Sequence, residues 1–576
     1  MKNIKYKLLV LPAMLILIII GSCKKSFLDS APYAVVADNN FYQTTEQCKG
    51  AVMQAYNRTV HLGPIYLFIR HALNDYAGDD LLRTQTDDFT VWYNFSPDNV
   101  QFLWGWKYCF QGIYLCNYTL SKLATAPIPQ ADKDALGAEC KTIRALMYYM
   151  VATRWGTTPV ITEVLPIEEY YKVSYAKAPE VYAQVIKDLR EAIPNLPKSW
   201  DAANKGRFSQ SAAKMLLAKT YMQLAGYPIN KPENWQLASD VLAEFVPQSK
   251  RVDYGLGLLQ DYGSVYNKAH DQGIESVFEV NEMYYPSGSG ISLEVGAPGN
   301  FLQVFEQPDM YEGFGAGREC FTSDLYDEFE KDNSGKIIDK RFTYTMLEPG
   351  DVFYVTSTGD TMLHNSTGKL YIKNVKVDNA TNTLSYDVKN NTDKSYEGWL
   401  WPGKNKEWYP NYKYLRNAKE RTGYINNAGL FGEDLNVKWL RFSDAILCYA
   451  ECLNETGHGA EAATYVNEVR TRANNSQAID RRRIYQKTIV TGSLPMVDAG
   501  LSQTAMRTAI QHESRVELAG EDWRYENLRR WGIADQRLHQ MATKSPQVGA
   551  SAFNPAGKYI KGAWDYYPVP TNEFKP

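Results

Sequence analysis

The amino-acid sequence predicts a mainly α-helical protein whose helices come in pairs, with one long irregular segment laid on them. Two observations support this prediction. Apolar residues recur every three or four positions in several stretches that end at glycine or proline, which is the spacing of one face of a helix. Between about Arg251 and Val437 this spacing fades, and Gly, Asn, Asp, Ser and Thr become frequent. Short alternating runs such as LYIKNVKVD, from Leu370, indicate small β elements within these loops.

The clearest helix pair spans residues 437–473. Its first arm is predicted to be a helix with one apolar face, which is formed by Trp439, Phe442, Ile446, Ala450 and Leu453. The opposite side holds Arg441, Asp444, Cys448, Glu451 and Glu455. Gly457 and Gly459 supply the break between the arms, because glycine readily adopts the positive φ that ends a helix. The apolar face of the second arm comprises Ala462, Val466, Val469 and Ala473. Ala450 and Ala462 would let the arms cross closely, as in a tetratricopeptide-type pair, although any tight helical hairpin needs small residues at its crossing.

Length and composition limit the class of protein. The 576 residues are enough for a large core or for two or three subdomains. A net charge of −3 argues against a nucleic-acid-binding protein, which would carry a basic excess. The 41 tyrosines and 13 tryptophans exceed what a core requires, because buried tyrosine hydroxyls need hydrogen-bonding partners. Aromatic faces stack on sugar rings, so this surplus favours a carbohydrate-binding surface; packing between helices is the alternative.

The cysteines do not indicate a metal site. No CxxC pair is matched by a second such pair, so a zinc site is not predicted. Four cysteines lie in helical, apolar patterns and are predicted to be buried thiols: Cys109, Cys116, Cys140 and Cys448. Calcium in the acid-rich loops stays an open alternative, although no twelve-residue EF-hand pattern supports it. We predict no cofactor.

The N-terminus has the pattern of a lipoprotein signal. Lysines at positions 2, 5 and 7 precede an apolar run, residues 8–20, which is shorter than the roughly 20 residues of a comfortable membrane span. Ile20-Gly21-Ser22-Cys23 then resembles a bacterial lipobox. The resemblance implies cleavage before Cys23 and acylation of that cysteine, and a triacylated cysteine satisfies the need for more than one acyl chain. An N-terminal anchor helix with an incidental cysteine is the alternative.

Further helices follow in order. Between residues 41 and 250 the pattern predicts helices over residues 45–57, 100–123, 131–155, 179–193, 209–225 and 233–245. Pro127 and Pro129 separate the second of these from the third, and Gly226 is positioned to end the fifth. A short strand-like segment, RWGTTPVIT, follows the third. Residues 503–520 are predicted to form a charged helix, and the segment EDWRYENLRRWG follows it up to Gly532. The prolines of the last segment predict an extended, docked tail.

Catalysis is not favoured. The seven histidines form no HExxH motif, and the chain has neither a GxSxG motif nor a glycine-rich phosphate loop. Asp79 and Asp80 are adjacent, whereas glycoside hydrolysis needs two acids that face each other across a cleft. The C-terminal charges are interpreted as an ion-pair lattice between packed helices, because their signs alternate; they are Glu513, Arg515, Glu517, Glu521, Arg524, Arg529 and Arg530. Glu451 is expected to pair with one of these arginines.

Several stretches, taken together and in order, resemble the SusD/RagB family of outer-membrane lipoproteins. They are the lipobox with SFLDSAP, FYQTTEQCKGAVMQAYN, WKYCFQGIYLCNYTLSKL, ECKTIRALMYYMVATRWGTTPVIT, PEVYAQVIKDLREAIPNLP, GRFSQSAAKMLLAKTYMQLAG, ESVFEVN, DKRF, the 437–473 hairpin, ESRVELAGEDWRYENLRRWG and YYPVPTNEF. These stretches cover nearly the whole mature chain.

The resemblance implies a fold and a role. The fold is a right-handed superhelical scaffold of tetratricopeptide-like helix pairs with an irregular subdomain. The implied parts are a signal peptide (1–22), a lipidated tether (23–40), an N-terminal helical part (41–250), a loop-rich variable subdomain (251–436) and a C-terminal helical part (437–576).

The implied role is that of a lipid-anchored protein of the outer membrane that faces the extracellular side. It captures glycans or peptides and serves as a hinged lid over a SusC-like, TonB-dependent β-barrel. The segment Lys24-Lys25-Ser26 lacks the acidic run that follows the acylated cysteine in surface-exported relatives. A position on the other face of the outer membrane is therefore the alternative. The alternative function is a solenoid scaffold that binds peptides or a partner protein at the outer membrane.

The resemblance also suggests ligand contacts, in the loop of residues 75–99 and in the segment after ESVFEVN. Trp92 and Tyr93 are predicted to stack on sugar rings, Arg83 and Asn94 to hydrogen-bond sugar hydroxyls, and Tyr284 and Tyr285 to form the opposing wall. For each aromatic, a role as a loop anchor packed on the helices is the alternative. A second aromatic cluster, in residues 399–414, has two alternative interpretations: it is a second ligand-binding surface, or it is the face that meets the barrel.

Overall fold

Helices make up most of the N-terminal part of the molecule. They are α1 (Thr45–His61), α2 (Val100–Thr125), α3 (Gln130–Trp155), α4 (Ile167–Tyr170), α5 (Ala178–Ala192), α6 (Gln210–Ala225), α7 (Asn234–Ala243) and α8 (Gln248–Arg251). The six helices predicted for this part are confirmed within a few residues at each end. Their limits follow from local chemistry: the Asn99 side chain accepts a hydrogen bond from the Gln101 amide at the start of α2, and Ser209 caps α6 through the Ala212 amide.

The computed structural model describes a defined set of residues. They are residues 41–61, 74–83, 96–266, 268–281, 319–345, 352–355, 361–365, 368–378, 383–388, 408–409, 436–477, 490, 492–544 and 559–571. Within them, no helix combines the length and the apolar character needed to cross a bilayer.

The remaining helices are short in the middle of the chain and longer towards its C-terminal end. They are α9 (Ser323–Glu328), α10 (Phe342–Thr345), α11 (Phe442–Glu455), α12 (Gly459–Asn475), α13 (Gln503–Glu517), α14 (Arg524–Arg530) and α15 (Ala534–Lys544). Helix α15, which follows the turn at Gly532 (φ 72°), was not predicted from the sequence.

In the described residues, the strands form four small antiparallel sheets. The strands are β1 (Leu81–Arg83), β2 (Thr157–Pro159), β3 (Tyr175–Lys177), β4 (Ser276–Val280), β5 (Glu319–Thr322), β6 (Val352–Val355), β7 (Thr361–Asn365), β8 (Gly368–Asp378), β9 (Thr383–Val388), β10 (Trp408–Tyr409) and β11 (Val437–Arg441). The sheets have the orders β1-β5-β10, β11-β4, β2-β3 and β6-β7-β8-β9. The alternating run from Leu370 lies in β8, as predicted.

Successive helices pack on one another along the chain. Helix α1 packs on α2 and α3, α3 on α5, α5 on α6, and α6 on α7. Helix α7 then packs on α11, so the helix pair α11–α12 extends the stack begun by the N-terminal helices. The mainly α fold of tetratricopeptide-like pairs is therefore as predicted.

The start of the α11–α12 pair differs from the prediction. Val437–Arg441 is a strand, paired with Ser276–Val280, and helix α11 begins only at Phe442. Apolar residues at 437 and 439 fit the spacing of a strand, and pairing with a distant strand decides the outcome. The apolar faces are otherwise as predicted, since Ala450, Ala462 and Val466 are fully buried.

The side of α11 opposite its apolar face is also buried, which agrees with the predictions that Cys448 is buried and that Glu451 pairs with a C-terminal arginine. Asp444 bonds Lys219 of α6 at 2.9 Å, and Glu451 is paired with Arg530 of α14. Helices α7 and α13 pack on α11 as well. This helix is enclosed, and its acidic residues Asp444 and Glu451 are paired with cations from other helices.

Candidate ligand-binding site

Of the residues predicted to contact ligand, the structure places the backbone of Arg83. This residue is the last of β1 and pairs in register with Glu319 of β5. The others lie outside the described residues: Trp92, Tyr93, Asn94, Tyr284 and Tyr285. Cys23, the predicted acylation site, also lies outside them.

A three-stranded sheet joins two segments that the sequence presented as separate candidates. Strand β5 has β1 on one side and β10 on the other, with Phe321 in register with both Leu81 and Tyr409. Strand β1 begins the connection that contains Trp92, and β10 lies within the 399–414 aromatic cluster. The two aromatic segments therefore share one base, which is defined here as the loop base: residues 74–83 together with β5 and β10.

Buried ion pairs hold the loop base on the C-terminal helices. Arg524 of α14 donates from Nη2 to Asp79 Oδ2 at 2.8 Å, and Arg515 of α13 donates from Nε to Asp80 Oδ1 at 2.7 Å. Arg537 of α15 reaches the same Asp79 oxygen at 3.0 Å. Asp324, at the start of α9, accepts from Arg515 at 2.9 Å. These contacts fix the residues just before β1 and just after β5.

The pKa values of the two adjacent aspartates are consistent with a structural role. Burial by itself raises the pKa of Asp79, but the guanidinium groups of Arg515, Arg524 and Arg537 outweigh it and hold this pKa below its usual value. Burial raises the pKa of Asp80. Both carboxyls are enclosed, with side-chain exposures of 0% and 1%, so neither faces a cleft as an acid of glycoside hydrolysis would.

Backbone hydrogen bonds complete the loop base. The Thr322 amide donates to Asp80 O at 2.9 Å, and its hydroxyl donates to Asp79 O at 2.6 Å. Asp75 Oδ2 accepts from the Asp522 amide at 2.9 Å. Asp522 adopts a positive φ of 66°, which is uncommon for a residue other than glycine, and in this conformation its amide points to the Asp75 carboxylate.

A second base lies where the chain enters and leaves residues 282–435. Val280, at the end of β4, pairs in register with Val437, at the start of β11. Asn436 donates from Nδ2 to Asn281 Oδ1 at 3.1 Å, and Asn281 donates to Lys205 O at 3.0 Å. Tyr284 and Tyr285 follow this point in sequence. The ends of the segment that contains them are thus adjacent and tied to the loop before α6.

The predicted ion-pair lattice is confirmed, with partners beyond those expected. Arg441 bonds Glu517 at 3.0 Å and Glu521 at 2.6 Å, and it also bonds Glu275, which precedes β4, at 2.7 Å. Arg341 pairs with Asp339, Glu513 and Glu517, and Arg472 pairs with Glu275 and Glu517. The lattice therefore joins helices to strands and loops.

Arg529 differs from the lattice prediction. Its guanidinium donates to the backbone carbonyls of Thr153 and Asp565, and it lies 5.1 Å from the ring centroid of Tyr525. Carbonyl oxygens and an aromatic face take the place of a carboxylate. Arg529 thus fixes the chain near residue 565 to the end of α3.

The described side chains offer no grouping of His, Cys, Asp and Glu able to hold a metal ion. The four cysteines predicted to be buried are buried and free of disulfides. Burial raises the pKa of Cys109 and of Cys116 to about 12, so each stays a neutral thiol at physiological pH.

Comparison with known sequences assigns the chain to a family. The model of the SusD family matches residues 275–575, and a second model, described as "Starch-binding associating with outer membrane", matches residues 26–222. Among curated relatives, SusD-like protein P25 of Formosa agariphila is 26% identical over 535 residues, which are 89% of this chain and 87% of that protein.

Solved structures have the same fold. A SusD homolog from Bacteroides thetaiotaomicron superposes with a TM-score of 0.68 at 20% identity, over 93% of this chain and 96% of the other. A laminarin-binding SusD-like protein gives 0.65 at 23% identity, over 92% and 97%. Surface glycan-binding protein A from Bacteroides thetaiotaomicron, in complex with laminarihexaose, gives 0.61 at 19% identity, over 92% and 97%.

These matches extend over both helical parts and the segment between them. The SusD family model alone spans more than half of the sequence, including the strands β4 and β11 and the arginine lattice. On this evidence the chain belongs to the SusD family.

Proposed function

We propose that this protein captures a glycan at the outer membrane and delivers it to a SusC-like, TonB-dependent β-barrel, over which it acts as a lid. Family membership supports the proposal, and so do relatives that are described as binding laminarin or laminarihexaose. The observation that carries it is the loop base, because β5 joins the Arg83 segment to the 399–414 aromatic cluster.

The proposed contacts divide by chemistry. Trp92, Tyr93, Tyr284 and Tyr285 supply flat apolar faces for sugar rings. Arg83 and Asn94 supply hydrogen bonds to hydroxyls.

Catalysis is not part of the proposal. Asp79 and Asp80, which precede Arg83 in the sequence, are enclosed and bound to arginines. The buried cysteines are neutral thiols. Capture and transfer of an intact glycan need neither a nucleophile nor a general acid.

Calorimetric titration with a panel of oligosaccharides, laminarihexaose among them, tests the glycan site. We expect Trp92→Ala to abolish binding to the glycan that the wild type retains, with little change in thermal stability. Tyr171→Ala is the matched control, because Tyr171 is 63% exposed on the β2–β3 connection. A comparable loss of stability in Trp92→Ala would instead assign Trp92 to loop packing.

The anchor and the barrel have separate tests. Cys23→Ser should prevent incorporation of labelled palmitate and release the chain from the outer-membrane fraction. A tagged wild-type chain, extracted in mild detergent, should co-purify with a large β-barrel. A peptide or soluble protein recovered in its place would favour the alternative of a solenoid scaffold.

A further inference from the structure

A surface groove on the first two helices is separate from the loop base. It has a volume of about 430 Å³ and lies between α1 and α2; its lining residues are Arg58, Trp106, Lys107, Phe110, Gln111, Tyr114 and Leu115. This volume lies within the range of small-molecule sites in proteins, which are also lined largely by apolar and aromatic groups with a few polar ones. The occupant of the groove is inferred from the lining residues.

Aromatic rings form one side of the groove. Phe110 packs on Trp106 with ring centroids 4.9 Å apart, and Trp106 is itself buried against Trp155. Tyr114, four residues after Phe110 and thus one helical turn further along α2, is 44% exposed. This side of the groove therefore combines the packed rings of Trp106 and Phe110 with the solvent-accessible ring of Tyr114.

Two polar atoms in the groove are buried without a partner among the described residues. They are Nε of Arg58, a donor, and Oε1 of Gln111, an acceptor. Buried polar atoms in native proteins are almost always hydrogen-bonded. A sugar hydroxyl both donates and accepts, so hydroxyl groups of a bound saccharide match this pair of atoms.

The charge of the groove selects among saccharides. Arg58 and Lys107 are both cationic, and none of the described lining residues is a carboxylate. Helix α2 contains no Asp or Glu along its whole length, and its only other cation is Lys122. Arg58 forms no ion pair within the described part of the chain. A guanidinium without an acidic partner beside an aromatic wall is suited to an anionic group on a sugar ring.

We propose that this groove binds an anionic segment of the glycan, through carboxylate or sulfate groups. The proposal rests on the proposed function, since it assumes that glycan reaches this protein, but it places a second contact on the helices. Arg58 binds the anionic group, Gln111 bonds a neighbouring hydroxyl, and Tyr114 stacks on the ring. The site would select acidic glycans over neutral ones of the same backbone.

Calorimetry on the full lipidated chain in detergent tests this proposal with four probes. They are hexagalacturonate, its fully methyl-esterified form, a sulfated carrageenan hexasaccharide and neutral laminarihexaose. We expect one or both anionic probes to bind, and the esterified form to bind at least about tenfold more weakly than hexagalacturonate if carboxylate is the group recognised. Binding of the sulfated probe alone would assign the groove to sulfate esters.

Matched variants locate the contact. Arg58→Gln and Lys107→Gln should each weaken binding of the anionic probe about tenfold, and Arg58→Lys should retain part of it. Lys122→Gln is the control, because both lysines lie on α2 over an aromatic ring, at 5.2 Å for Lys107 and 5.0 Å for Lys122, but only Lys107 lines the groove. Tyr114→Ala tests stacking, and its thermal unfolding checks that the fold is kept.

Three outcomes overturn the inference. The first is that neither anionic probe binds, and the second is equal affinity for hexagalacturonate and its ester without binding of the sulfated probe. The third is anionic binding that is unchanged by the groove variants and lost in Trp92→Ala. In that third case the proposed function survives, whereas a wild type that binds no glycan at all contradicts both.

Discussion

Glu451 is a buried carboxylate whose negative charge is balanced by one cation, Arg530. Its Oε2 accepts from Arg530 Nη2 at 2.8 Å, its other oxygen accepts from Trp531 Nε1 at 2.9 Å, and the paired side chains are 6% and 4% exposed. The sequence predicted a partner among the C-terminal arginines because the alternating signs favour pairing. It did not identify Arg530, since that choice depends on how α14 lies against α11.

Removing this carboxylate is predicted to be costly. Glu451→Ala leaves the Arg530 guanidinium buried without its carboxylate, so the free energy of unfolding should fall by about 3 kcal/mol. Urea denaturation measures the change. Glu169→Ala is the control, because Glu169 and Lys172 are 49% and 66% exposed, and this exposed pair should contribute at most about 1 kcal/mol. Equal losses in the two variants would contradict the argument.

His512 introduces a dependence of stability on pH. Its Nδ1 lies 2.8 Å from Glu328 Oε1, and Glu513 and Glu330 are further acids around it. Burial lowers the pKa of His512, but the bond to Glu328 and the surrounding carboxylates outweigh burial and raise the pKa above 6.5. The folded protein therefore keeps this proton to a higher pH than the unfolded chain. The resulting stabilisation is complete below pH 6.5 and is lost as the pH rises through the folded pKa.

The His512→Gln variant tests that sign. The difference in unfolding free energy between wild type and variant should be largest near pH 6 and should shrink by about pH 9. Glu328→Gln should remove most of the same dependence, because His512 loses the negative charge of its carboxylate partner. A difference that stays constant, or widens towards pH 9, would show that His512 is not held as a cation in the folded state.

At the scale of elements, local sequence signals predicted the helices, whereas strand β11 and the loop base depend on contacts between residues far apart in the chain. Caps and prolines such as Asn99, Ser209 and Pro129 lie beside the ends they determine, so helix limits were predictable from sequence. Strand β11 was not, because its pairing partner lies about 160 residues earlier in the chain. The loop base was equally hidden, since Arg515 and Asp80 are 435 residues apart. No local pattern specifies such a pair.

The α11–α12 pair should be sensitive to volume at its small residues. Ala462 is fully buried at the face of α12 that meets α11, so Ala462→Leu should lower the free energy of unfolding by about 2 kcal/mol through overpacking. Ala460, on the first turn of the same helix, is exposed. Ala460→Leu should change stability by less than about 0.5 kcal/mol. Equal effects measured by thermal unfolding would mean that helix propensity, rather than packing, explains the change.

At the scale of the whole molecule, segments from both ends of the chain form one packed unit. Helix α7 packs on α11 across about 200 intervening residues. The three-part division at residues 250 and 436 stays a prediction, because it was drawn from composition and from the family resemblance. The candidate site depends on the same long-range assembly: the base of its loops comes from residues near 80, 320 and 408, and its supporting arginines from residues 515–537.

The tail of residues 559–571 makes this connection testable. The Tyr567 amide donates to Arg154 O at 2.8 Å, and its ring stacks on Phe102 of α2 at 4.7 Å and on Tyr525 of α14 at 6.1 Å. Tyr567→Ala should therefore lower the free energy of unfolding by about 3 kcal/mol. Hydrogen exchange should increase together in α2 and α14, because one ring packs on both, whereas the bond to Arg154 of α3 comes from the backbone amide and is kept.

Ile560→Ala is the matched control for this prediction, since Ile560 lies in the same tail but is 59% exposed. It should leave both stability and exchange nearly unchanged. If Tyr567→Ala increased exchange in α14 alone, the N-terminal and C-terminal helices would be stabilised separately. The tail would then be an attachment to the C-terminal helices, and the loop base would depend on those helices without help from α2 and α3.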